Sequence, residues 1–237
     1  MNSVSAVLTG KKETGPSVKS FYFKPEEKLN YKPGQYGLFQ VEHEGKTMTK
    51  PFSFSCSPKR EHIEITTMMS GSEYKTSLDS LAEGSRIIIK GPAGSFTLDA
   101  AHGRSVCFLA GGIGITPVKS ILEHGCEEGV LPDTVLFYAN RNVERIVFRQ
   151  ELEDMSRKTG TLRLIHVISR IGEQEKNRLV CESGYIDADM IRRDLTDYAE
   201  RQFFIVGPPP FNEAMIKALS DLEISSGHIT TENFAGY

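Results

Sequence analysis

The sequence predicts two domains: an antiparallel β-barrel over residues 1–100, then an α/β domain over residues 101–237 on a five-stranded parallel sheet. Three observations predict it. Apolar residues in the first hundred positions alternate with period two in short runs, as half-buried strands do. Past residue 104 the rhythm becomes strand then helix, repeated, and a parallel crossover needs that much chain. A glycine-rich turn, "LAGGIGITP" at 109–117, opens this second rhythm instead of the chain, so a separate unit precedes it.

A length of 237 residues suits two ordinary domains better than one large one. In the first, the strands are "SVSAVLT", "VKSFYFK", "YGLFQVE", "FSFSCS", "HIEITTMM" and "RIIIKGP", separated by turn material such as "KKETGPS" and "KPGQ". One helix is expected over "TSLDSLAEG", where Leu78 and Leu81 stand three apart and Gly84 ends the turn. The boundary falls at "LDAAHGR", residues 98–104. In the second domain the strands are "SVCFLAG", "TVLFYAN", "LRLIHVIS", "FFIVGP" and "HITTENF". Helices are read in "PVKSILEHG", "VERIVFRQELEDMSRKTG" and "PFNEAMIKALSDL", the second with Phe148, Leu152 and Met155 on one face.

Composition excludes several functions before any motif is read. A net charge of -3 lacks the basic footprint of a nucleic-acid binder, and no apolar run approaches the roughly 20 residues of a membrane span. The start "MNSVSAVLTGKKETG" has no basic segment followed by an apolar one, so a cytoplasmic protein is expected. Cys56, Cys107, Cys126 and Cys181 are scattered without C-x-x-C, and the histidines, among them His43, His62 and His166, show no ligand spacing. Neither zinc nor an iron–sulfur cluster is therefore expected. Cys107, inside an apolar strand, reads as a buried core thiol.

The glycine turn lies after one strand and before one helix, where a pyrophosphate would meet free backbone N–H groups and the positive end of a helix dipole. Pro117 stands where G-x-G-x-x-G would have its third glycine, and proline at a first helical position forfeits no hydrogen bond. Such a turn also serves tight strand-to-helix packing, and alone it does not decide between the two uses.

Four segments in order add to it: "KPFS" at 50–53, "GPAGSF" at 91–96, "GGIGITP" at 111–117 and "VGPPP" at 206–210. The set resembles the ferredoxin–NADP reductase family, with its R-x-[YF]-[ST], G-P-x-G-x-F, G-G-x-G-x-T-P and C-G-P-type motifs, and the resemblance covers nearly the whole chain. It implies an FAD-dependent oxidoreductase whose barrel holds the flavin, FAD sooner than FMN, and whose α/β domain holds NADPH or NADH. Hydride would pass from the nicotinamide to flavin N5, and electrons onward to an acceptor such as ferredoxin, flavodoxin or an oxygenase component. Two other readings stay open: a flavin-bearing electron-transfer subunit of a larger complex, and a nucleotide-binding redox module without turnover.

The resemblance assigns roles residue by residue. Lys50 would meet the flavin phosphates, beside Pro51; Phe52 would stack on the ring; and the Ser53 hydroxyl would sit at N5. Lysine in place of the usual arginine offers a point charge instead of a bidentate fork. Read without the family, "KPFSFSCS" is an alternating strand whose Phe52 and Phe54 face one core. Thr66, Thr67 and Met68 would follow the ribityl chain and pyrophosphate. Lys75, Thr76 and Ser77 would mark a helix N-terminus at the diphosphate, or an ordinary helix cap. Gly112, Gly114, Ile115 and Thr116 would line the approach of the nicotinamide dinucleotide, with Gly207 and Pro208 forming the opposite wall. Val206 stands where the family carries a cysteine. Ser169 and Arg170 match a pair that meets a 2′-phosphate, with Lys176 and Arg178 adding charge; a solvated loop is the alternative. At the C-terminus, Tyr237 would cover the flavin and Glu232 would relay a proton.

Overall fold

The computed structural model describes residues 2–172 and 180–234. The first sheet comprises β1 (Asn2–Gly15), β2 (Val18–Pro25), β3 (Tyr36–His43), β4 (Lys46–Ser53), β5 (Ile63–Met68) and β6 (Arg86–Ala93). All neighbours are antiparallel, in the order β4-β3-β6-β1-β2-β5. Period-two alternation sends Leu8, Phe21, Phe23, Phe39, Val41, Ile63, Ile65, Ile87 and Ile89 into one core. Beyond β4 the chain meets the far edge, where the Ser55 N–H donates to the Glu64 carbonyl at 2.8 Å, curling the sheet into a half-barrel. Helix α1 (Glu73–Ser80) packs against β3 and β4, and the Tyr74 hydroxyl donates to the Phe39 carbonyl at 2.9 Å.

The fourth strand differs from the expectation of "FSFSCS". It starts at Lys46 because Glu44 (φ 50°) and Gly45 (φ 75°) form a two-residue hairpin turn with both residues left-handed. Such a turn closes directly on the His43–Lys46 pair and fixes the register that ends at Tyr36–Ser53. Pro51 is tolerated because β4 is an edge strand.

The second sheet is parallel, with β7 (Val106–Gly111), β8 (Thr134–Asn140), β9 (Leu162–Ile168), β10 (Cys181–Ser183), β11 (Gln202–Gly207) and β12 (Ile229–Asn233). Its order is β10-β9-β8-β7-β11-β12. Among the described residues it has six strands, one more than expected, because β10 has three residues and is too short to show a period. Helices α2 (Ile115–Glu128) and α3 (Arg149–Lys158) cover one face; α4 (Ala188–Asp194) and α5 (Pro209–Asp221) cover the other. Helix α3 starts six residues later than its apolar periodicity implied, since Phe148, just before it, is left-handed at φ 59°. Helix α4 escaped the sequence reading; the Asp187 carboxylate caps it by accepting from the Met190 N–H at 2.8 Å. Cys107, the second residue of β7, is fully buried. None of the described helices is long and apolar enough to cross a membrane.

The chain leaves β7 for β8 on one side, while β11 lies on its other side. The crevice at the carboxyl ends of β7 and β11 is therefore the switch point where open parallel sheets bind ligands.

Candidate active site

On the barrel side, residues opposite each other across β3 and β4 share a face. Met48, Lys50 and Phe52 therefore line up with Val41, Phe39 and Gly37 on the side that faces α1. Between β4 and α1 lies a cavity of about 500 Å³ lined by Lys46, Met48, Thr49, Lys50, Pro51, Phe52, Ser72, Glu73, Tyr74 and Lys75. That volume is of the order of small-molecule sites, about 300–1,000 Å³. Three ammonium groups stand against one carboxylate, Glu73, which pairs with Lys46 at 2.7 Å. Burial pulls the Lys75 pKa below its ordinary value. Excess positive charge, an aromatic wall and the start of a helix fit a flavin diphosphate.

Phe52 serves two surfaces. Its ring is 6% exposed and joins Phe54 in the barrel core, packing edge-on against Phe39 at 5.8 Å, as an alternating strand requires. The same ring borders the cavity and lies 5.6 Å from Tyr74. Ser53, next along, is buried at the end of β4 opposite Tyr36.

Of the remaining barrel candidates, from Thr66 to Ser77, Lys75 alone lines this cavity. Thr66 shares its face of β5 with Glu64, which reaches Lys119 of α2 at 3.0 Å, and its hydroxyl lies 2.6 Å from Ser20 Oγ and 3.1 Å from Ser55 Oγ. Thr67 falls on the opposite face of β5, buried, and Met68 is half-buried at the strand's end. Helix α1 begins at Glu73, so Lys75, Thr76 and Ser77 lie in its first two turns instead of marking its start. The Ser77 hydroxyl is engaged within the helix, donating to the Glu73 carbonyl at 2.8 Å, whereas Thr76 is exposed.

On the α/β side, the glycine turn serves both uses. Gly112 is left-handed at φ 53°, and a Cβ there would meet nothing within 4 Å. Its carbonyl accepts from the Tyr138 hydroxyl at 3.1 Å. Gly114 instead packs against β11: a Cβ would lie 2.7 Å from the Val206 carbonyl oxygen. Pro117 is the third residue of α2, not the first, still within the turn whose N–H groups lack intrahelical partners. Ile115 and Thr116 are buried, and the Thr116 hydroxyl donates to the Ile113 carbonyl at 3.3 Å. Their side chains are committed to the protein, so the turn offers a ligand its backbone. Gly207 accommodates the Phe211 ring, and Pro208 caps α5 at the surface. Val206 is fully buried between Ala110 and Glu232 on the flanking strands.

Burial pushes the Glu232 carboxyl up to about 7, and one of its oxygens has no hydrogen-bond partner among the described residues. Asn212 fixes the adjoining backbone, donating to the Glu232 carbonyl at 2.8 Å and to Asn233 Oδ1 at 2.7 Å. Tyr237, Lys176 and Arg178 lie outside the described residues. Ser169 and Arg170 follow the carboxyl end of β9, where the Arg170 N–H donates to the Arg141 carbonyl at 2.8 Å. Both arginines are exposed. Arg141 was missed in the sequence; its signal was "ANR" at the end of β8, level with Ser169 in the parallel register.

The model of an oxidoreductase FAD-binding domain matches residues 5–98, and that of an oxidoreductase NAD-binding domain matches residues 108–217. The chain belongs to the ferredoxin–NADP reductase family. As a member, it is an oxidoreductase carrying an FAD-binding and a NAD-binding domain, in that order. It is 25% identical over 222 residues to the glycine betaine monooxygenase reductase subunit of Chromohalobacter salexigens, covering 92% of this chain and 60% of that protein. It is 28% identical over 212 residues to the sulfhydrogenase 2 subunit gamma of Pyrococcus furiosus, covering 86% and 72%. The chain thus spans a little over half the length of the first curated relatives it matches. Its fold is that of the flavohem-like FAD/NAD binding domain of a nitric oxide dioxygenase from Vibrio cholerae, with a TM-score of 0.85, 21% identity and 98% of each chain covered.

Proposed function

We propose that this reductase takes hydride from NADPH or NADH onto FAD and passes electrons to a protein acceptor such as ferredoxin, flavodoxin or an oxygenase component. The observation that carries this reading is the lysine-lined cavity between β4 and α1, bordered by Phe52, in a chain that also builds a switch-point crevice. When bound, FAD supplies hydride acceptance from the nicotinamide and release of electrons onward. Lys46, Lys50 and Lys75 balance the diphosphate, three point charges standing in for one arginine fork. Phe52 gives the ring an apolar wall, and Ser53 is the hydroxyl assigned to its reactive edge. Gly112 leaves room for the dinucleotide, whose approach is guided by backbone, not by the buried Thr116 side chain. Glu232, with a pKa near 7, can hold or release a proton at neutral pH. Exposed Arg141 and Arg170 suit a 2′-phosphate and favour NADPH. The rate advantage is mostly proximity, from two domains holding two cofactors at reacting distance. A reducing compartment such as the cytoplasm suits Cys56 and Cys107, both buried thiols.

A second reading, an electron-transfer subunit that works within a complex, draws on the printed names of the two relatives above, both subunits. Steady-state oxidation of NADPH by the purified chain with ferricyanide tests both. Turnover unaccompanied supports the reductase. Bound FAD without turnover rejects it in favour of the subunit or of a redox module.

A further inference from the structure

We propose that Lys119 is a positioning residue for hydride transfer, whose buried pairing with Glu64 sets the register between the flavin domain and the nucleotide domain; this rests on the reading above. Lys119 lies one helical turn after Thr116, on the helix that begins at the glycine turn. Glu64 lies two residues before Thr66 on β5. Lys119 Nζ is 3.0 Å from Glu64 Oε2 and 3.1 Å from Glu123 Oε2, and it stands 5.0 Å from the centroid of the Phe148 ring. The three charged side chains are only 9%, 5% and 11% exposed.

Every buried charge in the cluster has an opposite charge beside it. Glu123 also accepts from Arg60 Nε at 2.7 Å and from the Ser57 N–H at 3.2 Å, both on the barrel, so Lys119 and Arg60 face Glu64 and Glu123, with Glu127 3.2 Å from Arg60 at the more exposed edge. Around it, Thr66 bonds Ser20 and Ser55, and Ser120 of α2 donates to the Cys56 carbonyl at 2.6 Å. Burial lowers the Lys119 pKa, and the two carboxylates outweigh it and hold the group above its ordinary value. Phe148 is left-handed, a conformation that a bulky residue keeps only where its surroundings impose it, and it brings its ring to the ammonium.

Adhesion alone does not explain this construction. Apolar side chains of similar volume hold an interface as well as a buried ion pair, because desolvation offsets most of the attraction. What the pair adds is direction: fixed lengths and angles between one strand and one helix. Strand β5 leads through residues 69–71 to Ser72 at the cavity, and α2 begins at the glycine turn, so an error in their register becomes an error in reacting distance. A misplacement of about 1 Å costs on the order of 100-fold in rate.

The test is the double variant Glu64→Leu/Lys119→Met, which removes both charges and leaves Glu123 with Arg60. The expected result is a urea midpoint and FAD content like the parent's, with flavin reduction by NADPH at least tenfold slower in stopped flow. The long-wavelength charge-transfer absorbance of the nicotinamide–flavin complex should weaken in parallel. Parental rate and absorbance in the double variant overturn the proposal and leave the reductase reading intact. If the double variant fails to fold, Lys119→Arg keeps the charge and alters its reach: slower reduction at unchanged stability is expected, and a parental rate overturns the proposal. A parent that binds FAD yet is not reduced by either nicotinamide overturns the functional reading, and this proposal with it.

Discussion

Alanine at Gly114 and at Gly112 should have opposite consequences, although the two glycines stand in one turn. Gly114 has a helical φ of -59°, so alanine suffers no backbone penalty there. Its Cβ, however, would lie 2.7 Å from Val206 O, 2.9 Å from Val206 C and 3.0 Å from Gly207 Cα. All three are backbone atoms of β11 and cannot rotate aside, so strand and helix must separate by a few tenths of an ångström. Overpacking of this kind costs about 1–3 kcal/mol, and a backbone clash belongs in the upper half of that range. At Gly112 nothing lies within 4 Å of a Cβ, and the cost is only that of a left-handed alanine, about 1–2 kcal/mol. Urea unfolding of the FAD-loaded chain should therefore place Gly114→Ala well below Gly112→Ala. Affinity for NADPH should show the reverse, because the Gly112 methyl projects into the opening assigned to the dinucleotide. A Gly114→Ala protein within about 0.5 kcal/mol of the parent would refute the packing argument.

Four further substitutions test the electrostatics. The Glu232 carboxyl, raised from 4.5 to about 7 by burial, favours the folded state when protonated and weakens it as pH rises through 7. Glu232→Gln should match the parent near pH 4 and exceed it by about 1–2 kcal/mol at pH 9, a discount from the roughly 3 kcal/mol that the shift allows before solvent screening; equal stability at both pH values would contradict the burial. His166, on β9, is 4% exposed, and its pKa is lowered to about 4 by burial; neither ring nitrogen has a hydrogen-bond partner among the described residues. Its stabilising contribution is full above pH 6.5 and is lost as pH falls toward 4, so His166→Leu should flatten the acid limb of the stability curve by up to about 3 kcal/mol. An unchanged acid limb would assign acid sensitivity elsewhere. Arg141→Ala and Arg170→Ala should each weaken NADPH binding by about tenfold and leave NADH unaffected, since a charged hydrogen bond contributes about 1.5–3 kcal/mol. Equal effects on the two nucleotides would mark the pair as a solvated loop.

What the sequence made legible follows from where local physics decides the outcome. Period-two alternation located β2, β3 and β5 because their inward residues are large and apolar. It missed β4, whose first residues, Lys46 to Lys50, carry only Met48 as an apolar mark and take their register from the Glu44–Gly45 turn. Helix α3 was read too long because Phe148 has the right spacing and the wrong φ, a tertiary imposition invisible in a periodic pattern. At the site, Lys50 and Phe52 were found through an ordered set of short motifs, and both border one cavity. The direction of Thr66 was not, since a strand's parity does not say which face meets a second domain. The partnership of Glu64 with Lys119 lay beyond any local reading, because 55 positions and a domain boundary separate them.

The most direct measurement of the central claim is an anaerobic absorbance scan of the purified chain before and after adding each nicotinamide. The purified chain should be yellow, release one FAD per chain on denaturation and lose its visible band with NADPH, and more slowly with NADH. A colourless protein that takes up no FAD on reconstitution, or a yellow one that keeps its band with both donors, would contradict the claim.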